Sequence, residues 1–494
     1  MPLLVGASPL QPACVARFAR APQPVALDPG ARDRVEAAWR LAEELAARRV
    51  LYGRSTGVGA NLGVPVGDEG GEHALRLLRS HACGAGDRLP EDVLRATMLV
   101  RLAQLAAGGS GLRPAVVDAL VVALNAGAVP VARELGAVGT SDLAVLAALG
   151  LALTGEGSWM GEPPPVRLEL RAGEALPLLI SNAATLAVAA MAWDDAARLL
   201  EAEAAIAALA FLAVDGNPEA FAAEVADARP LPGLILAAGR LRSLLAGANG
   251  PPARLQDPFS LRALPQVLGA AGDALAVLER VLAIEMNAAG ENPLISLAAG
   301  DARHNANWHL AHTSVALDAA RLALVQVASL ATARLALLME PRFTRLAPFL
   351  AGGERASSGL EMAEYVAADA FSRLRAEATP ASGAPVVLAR GVEEHASFAW
   401  QSAWQTRRAL GWLRVVLAVE LLAAVRALRQ KPDRRAPGLE AVLARAEAVL
   451  PAGLEDRPLS GDVDLALGLV DELPGLVDYA AAPLSASTGR SSSA

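Results

Sequence analysis

Apolar residues recur at helical spacing along most of the chain, and this pattern predicts a mainly α-helical protein. The period runs over Asp33 to Arg49, returns from Glu72 to Leu105, and continues over 114–125 and from about Ser141 to Leu153. From Ala183 onward it is almost uninterrupted. Because such long apolar stripes are typical of helix bundles, we expect helices of more than about 25 residues there.

Stretches rich in glycine and proline interrupt the helical pattern. Leu51 to Asp68 is rich in glycine and is predicted to be a loop. The alternating run Val166 to Leu170 is the best strand candidate in the chain. Three further non-helical stretches are expected later in the chain, at 247–262, 290–301 and 352–391.

The chain has 494 residues, which is too long for one ordinary domain. We expect an N-terminal domain over 1–195, and a long-helix bundle with a C-terminal helical part over 196–484. The Ser-rich tail, 485–494, is expected to be disordered.

Composition and charge narrow the choice of partners. Hydrophobic residues make up 53% of the chain and aromatic residues only 4%, so the apolar positions are mostly Ala, Leu and Val. A net charge of −8 argues against a nucleic-acid-binding surface. The most apolar long run, 409–428, carries three charged residues, and that spacing favours a buried bundle helix over a membrane span. We therefore expect small-molecule or protein partners, and neither nucleic acid nor membrane.

Cys14 and Cys83 are the two cysteines of the chain, which is too few for a disulfide framework. The first twenty residues lack the cationic segment followed by a long apolar segment that secretion requires. Both observations predict a cytoplasmic protein.

The loop YGRSTGVG, at 52–59, places Tyr52 among glycines that allow the backbone to approach a ligand closely. A phenol with a pKa near 10 can move a proton once its pKa is lowered. The spacing is not that of a dinucleotide fingerprint, and no strand precedes it. From this segment alone, a flexible surface loop is the favoured interpretation.

Two histidine-containing segments are candidates for chemistry. His81 and Cys83 lie together at a predicted helix end, but no third member of a nucleophile group is apparent. His309 and His312 could share a helix face, with Asp301 as the nearby carboxylate. One carboxylate is a poor match for a metal site, so no metal is predicted.

Arg262 lies among apolar neighbours in QDPFSLR, and a buried guanidinium needs an anion. A substrate carboxylate held by two hydrogen bonds would satisfy it. A salt bridge to Asp257 or Glu291 would do so equally well. Gln266 follows one helical turn later if a helix begins at Pro265.

Acidic residues lie near two predicted helix starts, in the segments 393–395 and 136–144. Glu393-Glu394-His395 is predicted to open a long helix, where carboxylates are expected from the helix dipole alone. A buried glutamate with a raised pKa is the alternative. The stretch GAVGTSDLA, at 136–144, packs two glycines, two hydroxyls and a carboxylate into a short turn.

Together and in order, these segments resemble the histidine/phenylalanine ammonia-lyase family, the aromatic amino acid lyases. The resemblance runs from about Tyr52 to Phe398, most of the chain, and is nearest the histidine branch. Its remaining pieces are RSHACGAG at 79–86, GGSGLRP at 108–114, NAGAVPVARELGAVGTSDLA at 125–144, LTGEG at 153–157, QDPFSLRALPQVLGA at 256–270, ENPLI at 291–295, NWH at 307–309 and EEHASF at 393–398.

The resemblance implies a long-helix bundle of the ammonia-lyase (fumarase/aspartase-like) type with a smaller mixed N-terminal part. It implies a homotetramer whose active sites are built from several subunits. It also implies elimination of ammonia from an aromatic L-amino acid, such as histidine or tyrosine, to give an α,β-unsaturated acid. The family uses a methylidene-imidazolone electrophile that it makes from its own Ala-Ser-Gly triad.

Residue by residue, the resemblance implies that Tyr52 is the base on the β-carbon and that Arg262 holds the substrate carboxylate. Gln266 and Glu393 match polar groups near the amino group or the ring. The other matches are His81 for side-chain recognition, Asn182 for an asparagine near the electrophile, and Trp308 where the family usually has phenylalanine.

Two departures separate this chain from the family pattern. Phe259 stands where the family has a second active-site tyrosine, so the ring is kept and the hydroxyl is lost. The family's Ala-Ser-Gly-Asp-Leu-Ala is shortened to Thr140-Ser141-Asp142-Leu-Ala, and the missing residue is the glycine. A ring at 140–142 would need the amide nitrogen of Asp142, whose Cβ hinders a tight turn that favours glycine.

Three hypotheses follow. The first is an ammonia-lyase or aminomutase, whose cofactor would be a self-formed ring at 140–142, with no other cofactor. The second is an electrophile-free enzyme that runs acid–base elimination, addition or cyclisation on an anionic substrate. The third is a non-catalytic scaffold.

Overall fold

The computed structural model describes residues 1–67, 71–477 and 484. The predicted disordered tail, 485–494, lies outside the described residues. Helices dominate the described chain, which confirms the predicted mainly α-helical class. The helices are α1 (Pro12–Arg20), α2 (Pro29–Ala46), α3 (Glu72–His81), α4 (Glu91–Ala106), α5 (Pro114–Asn125), α6 (Leu143–Thr154), α7 (Ala175–Leu179), α8 (Ala183–Ala213), α9 (Ala223–Asp227), α10 (Pro232–Leu245), α11 (Phe259–Arg262), α12 (Leu264–Glu285), α13 (Ala311–Met339), α14 (Pro341–Thr344), α15 (Glu361–Glu377), α16 (Ala399–Arg429), α17 (Glu440–Val449) and α18 (Ser460–Glu472).

Short strands form two-stranded pairs. The β1–β2 pair is parallel, whereas β3–β5, β4–β6 and β7–β8 are antiparallel. The strands are β1 (Leu3–Val5), β2 (Val25–Leu27), β3 (Ala85–Arg88), β4 (Val129–Pro130), β5 (Arg133–Leu135), β6 (Trp159–Met160), β7 (Leu294–Ser296) and β8 (Asp301–Arg303).

Local chemistry explains several helix starts. The Asp28 side chain accepts a hydrogen bond from the Ala31 amide at 3.0 Å and caps α2. Pro29 and Pro114 occupy the first positions of α2 and α5, where a missing N–H costs nothing. The predicted helix over 114–125 is therefore confirmed with these bounds.

Four sequence-based predictions about elements are wrong. The helical period over 72–105 is split into α3 and α4 by strand β3, because Gly86 adopts a left-handed φ of 77° and Pro90 restarts the helix. The run 166–170 is not a strand, since among the described residues its one backbone–backbone hydrogen bond to a neighbouring segment runs from the Leu168 N–H to the Leu153 carbonyl. The non-helical stretch 352–391 contains α15. Glu393 lies in a loop, because α16 begins only at Ala399.

Contacts divide the chain into two units, and each is discontinuous in sequence. The first unit comprises 1–194, 279–317 and 380–404, and the second comprises 195–278, 318–379 and 405–494. Two stretches, Ala175–Ala213 and Ala311–Met339, are long and apolar enough to cross a membrane by length and composition alone. The most apolar window of the first is fully buried inside the protein, as expected of a core helix.

The core of the second unit contains a buried charge cluster. Arg334 is fully buried, and it donates to both oxygens of Glu420 at 2.6 and 2.9 Å. It also donates to the buried Glu203. Two carboxylates therefore share one guanidinium away from water.

Candidate active site

The turn at 136–144 lies between two segments that hold its backbone in place. From one side, the Gln401 amide, the Phe398 N–H and the Ser397 hydroxyl donate to the carbonyls of residues 137, 138 and 139, at 2.8, 2.9 and 3.1 Å. Gly139 has a φ of 84°, and a Cβ there would lie 2.1 Å from the Ser397 Oγ. This close approach requires glycine.

Asp142 holds the turn from the other side. Its N–H donates to the Ser181 carbonyl at 2.7 Å. Its carboxylate is fully buried and accepts both the backbone N–H and the hydroxyl of Thr185, at 2.8 and 2.7 Å. Burial raises the pKa of Asp142 to about 6, although the bonds from Thr185 oppose this shift. The carboxylate thus joins the turn to the first turn of α8, where the helix dipole favours an anion.

Ser141 is the strained residue of the turn. Its φ is 96°, a region that a residue with a Cβ rarely adopts. It is buried, and its Oγ has no hydrogen-bond partner among the described residues. An unsatisfied buried hydroxyl at a strained position marks a functional candidate.

The turn forms one wall of a cavity of about 520 Å³ in the first unit. A volume of this size suits a small amino acid with room for water. The cavity brings together six of the residues singled out from the sequence, which are Tyr52, His81, Thr140, Ser141, Trp308 and Glu393.

Tyr52 is held by its own loop. Its hydroxyl oxygen accepts the Gly59 N–H at 2.7 Å, and this bond favours the phenolate. Burial nevertheless raises the pKa of Tyr52 above its ordinary value, and the negative charge of Glu393 raises it further. The phenolate of Tyr52 is therefore more basic than that of a free tyrosine, but it is scarce at neutral pH.

Asn182 does not line this cavity. Its amide donates to the Trp308 carbonyl, and it borders a small neighbouring space together with Trp308. Ile180, two residues earlier, lines the cavity instead. Sequence reasoning missed Ile180 because an isoleucine before a helix is indistinguishable from an ordinary core residue.

Two histidines lie beside the cavity wall. His309 Nε2 and His395 Nδ1 are 2.9 Å apart. His309 follows the wall residue Trp308 directly, and His395 comes two residues after the wall residue Glu393. Burial and the neighbouring imidazole lower the pKa of His309. His81 Nδ1 lies 2.9 Å from the Leu77 carbonyl, so its other ring nitrogen remains for a ligand.

Arg262, Gln266 and Phe259 belong to the second unit and do not line the first cavity. Arg262 and Gln266 border a different cavity of about 340 Å³, and the Arg262 guanidinium lies 4.2 Å from the Phe259 ring centre. The salt bridge from Arg262 to Asp257 that the sequence suggested is not observed, and Asp257 pairs with Arg254 at 2.8 Å. Glu291 pairs with Arg101 at 3.0 Å within the first unit.

The histidine-containing segments do not assemble a metal site or a nucleophile group among the described residues. Within residues 1–67, 71–477 and 484, no group of three or more His, Cys, Asp or Glu side chains could hold a metal ion. Cys83 is exposed, and the nearest polar contacts of His81 are Leu77 and Ser80.

The turn does not fit a self-formed methylidene-imidazolone. Ring closure at 140–142 needs the Asp142 nitrogen as nucleophile, and that nitrogen donates a hydrogen bond while its side chain is anchored to Thr185. A register one residue earlier, at 139–141, would put Ser141 in the third position, where a residue with a Cβ at a φ of 96° again replaces the family's glycine. Neither register places a glycine nitrogen in the third position.

Comparison with known proteins assigns the family. The family model described as aromatic amino acid lyase matches residues 10–448. The histidine ammonia-lyase of Anaeromyxobacter sp. (strain K) is 37% identical over 482 residues, which cover 90% of this chain and 94% of that protein.

Solved structures share the fold. Tyrosine aminomutase from Streptomyces globisporus has a TM-score of 0.90 at 28% identity, covering 96% of this chain and 97% of that one. Ergothionase from Treponema denticola has a TM-score of 0.90 at 24% identity, covering 96% and 99%. The relatives named as histidine ammonia-lyases are carbon–nitrogen lyases, and the family generally carries a self-formed methylidene-imidazolone. The chain belongs to the aromatic amino acid lyase family.

Proposed function

We propose that this protein is a carbon–nitrogen lyase that removes the α-nitrogen of an aromatic amino acid substrate, with a histidine-like or tyrosine-like ring, and leaves an α,β-unsaturated acid. The observation that carries the proposal is the convergence of Tyr52, Glu393 and the 140–141 turn on one cavity of about 520 Å³. A base, a carboxylate and an aromatic wall are the groups that such an elimination needs.

Tyr52 is the base in this proposal. Its phenolate is favoured by the Gly59 N–H and disfavoured by burial, and this ionised form is the group that takes the β-proton in the proposal. Glu393 faces the same cavity and can hold the positively charged nitrogen of the substrate. His81 borders the space left for the substrate ring.

Arg262 and Gln266 complete the site from another copy of the chain in this proposal. Arg262 forms no ion pair with a carboxylate of the described chain, and its Nε has no hydrogen-bond partner there. A substrate carboxylate would satisfy it by two charge-assisted hydrogen bonds. A homotetramer, as in the predicted assembly, would present this surface to a neighbour's cavity.

A second candidate is a ring-dependent ammonia-lyase or aminomutase. Ser141 supports it, because a buried hydroxyl without a partner is the state expected of a group that maturation removes. The contacts of the Asp142 nitrogen and carboxylate favour the first candidate.

Turnover by the purified full chain tests the proposal. Histidine, tyrosine and phenylalanine, each with a free and with an N-methylated α-nitrogen, are offered, and the ultraviolet absorbance of the unsaturated acid is followed. Tyr52→Phe should abolish the signal, whereas Tyr365→Phe, at an exposed tyrosine of α15, should preserve it. Absence of product from every substrate would instead favour a non-catalytic scaffold.

A further inference from the structure

The turn does not fit the family's methylidene-imidazolone electrophile, and this restricts which substrates the protein can use. Asp142 supplies a substituted, hydrogen-bonded nitrogen in place of a glycine nitrogen, and its carboxylate is fixed by two bonds to Thr185. Without a covalent electrophile, nothing in the turn can activate an amino group. We infer that the natural substrate carries its leaving group ready-made, as a quaternary ammonium on the α-carbon of an aromatic amino acid betaine. This inference rests on the proposed function.

A quaternary nitrogen is required because, in an ordinary amino acid, the ammonium proton competes with the β-proton for the base. The α-ammonium group of a free amino acid has a lower pKa than a tyrosine phenol, and burial raises the pKa of Tyr52 further. Any tyrosinate basic enough to attack the β-proton would take the N–H proton first, and the resulting neutral amine is a poor leaving group. A quaternary nitrogen has no N–H, so it stays positively charged beside the base.

The cavity wall suits such a cation. The aromatic residues Tyr52 and Trp308 and the carboxylate residue Glu393 line the same cavity. Aromatic faces, tryptophan best of all, bind quaternary ammonium groups through cation–π attraction without needing a hydrogen-bond donor from the ligand. Arg76 is the guanidinium in this wall, and its Nη1 lies 3.4 Å from the Glu72 carboxylate.

The reaction balances without any added oxidant or acceptor. The Tyr52 phenolate takes the β-proton, and the electrons of the Cβ–H bond become the Cα–Cβ π bond. The Cα–N bond breaks with both electrons moving to nitrogen, which leaves as a neutral tertiary amine. The products are the unsaturated carboxylate, the amine and a protonated Tyr52, which returns its proton to water.

A matched pair of substrates tests the inference on the full-length protein. Nα-trimethylhistidine and Nα-dimethylhistidine have almost the same bulk, but only the dimethyl compound carries an N–H when charged. We expect release of trimethylamine and unsaturated acid from the first, with a kcat/KM at least a hundredfold above that of the second and of histidine. Trp308→Leu should raise KM for the trimethyl compound on the order of tenfold, and Trp308→Phe should recover most of the loss.

Intact mass is measured on the same sample. We expect the full calculated mass, with no loss of water from the peptide that contains Thr140 to Asp142. Loss of two waters there, or equal turnover of histidine and its trimethyl derivative, would overturn the inference while the lyase proposal stood. Failure to form unsaturated acid from any substrate in the panel would remove the lyase proposal, and the inference with it.

Discussion

The buried cluster in the second unit should make the protein more stable when one carboxylate is removed. Arg334 bonds to Glu203 and Glu420, and all three side chains are buried. One positive charge cannot balance two negative charges in this environment, and burial raises the pKa of Glu203 to about 8. Glu203→Gln replaces the protonated acid by a neutral group of the same shape.

The sign and size follow from proton linkage. The folded pKa of Glu203 is higher than its ordinary value of 4.5, so the cost is absent below the ordinary value and grows until the folded value is reached. Each unit of pH costs about 1.4 kcal/mol, which amounts to about 3 kcal/mol at pH 7. Since the local packing relaxes around the amide, we expect Glu203→Gln to gain about 1–3 kcal/mol at pH 7 and more at pH 8.

Calorimetric unfolding at pH 5 and pH 8 checks this expectation. The Tm of Glu203→Gln should exceed that of the parent by on the order of 1–3 °C at pH 8, with a smaller difference at pH 5. Glu201→Gln is the control, because Glu201 pairs with Arg240 at 2.9 Å and also accepts the Leu484 N–H at 2.7 Å. The control should lose stability at both pH values. A less stable Glu203→Gln, or a gain that does not depend on pH, would refute the reasoning.

Three further predictions concern the site. Gly139→Ala should destabilise the protein by roughly 2–4 kcal/mol, seen as a lower Tm, because its Cβ would meet Ser397 at a left-handed φ; an unchanged Tm would show that the turn is loosely packed. Arg262→Lys should raise KM about tenfold or more with little change in Tm, because a lysine cannot form the paired hydrogen bonds of a guanidinium; an unchanged KM would remove Arg262 from substrate binding. Insertion of a glycine between Ser141 and Asp142 should lower the intact mass by two waters and raise ammonia release from histidine. If the variant keeps its full calculated mass, the missing glycine is not what prevents ring formation.

The sequence pattern was sufficient to predict those elements whose determining contacts are close in sequence. Helix α5 was predicted with its observed bounds, because a proline start and an apolar period are both local signals. The loop that carries Tyr52 was likewise readable from its glycines. By contrast, the helix expected at Glu393 was wrong, since charged residues before an apolar run do not show where the first helical turn closes.

The candidate site depended more strongly on tertiary structure. The ordered motifs alone identified the family, the missing glycine, and six residues that the cavity brings together. They could not reveal that Asp142 is anchored by Thr185, 43 positions away, or that Asn182 faces Trp308 instead of the cavity.

Sequence by itself therefore determined the helical class, the family and the chemical groups available to the enzyme. Tertiary structure decided which of those groups share a cavity, and it showed that the shortened turn has its nitrogen and carboxylate already engaged. The physical reason is the distance along the chain over which each effect acts. Helix periodicity and turn chemistry act over a few residues. The environment of Ser141 and Asp142 is instead set by segments that begin near residues 181 and 397, and only packing brings those segments together.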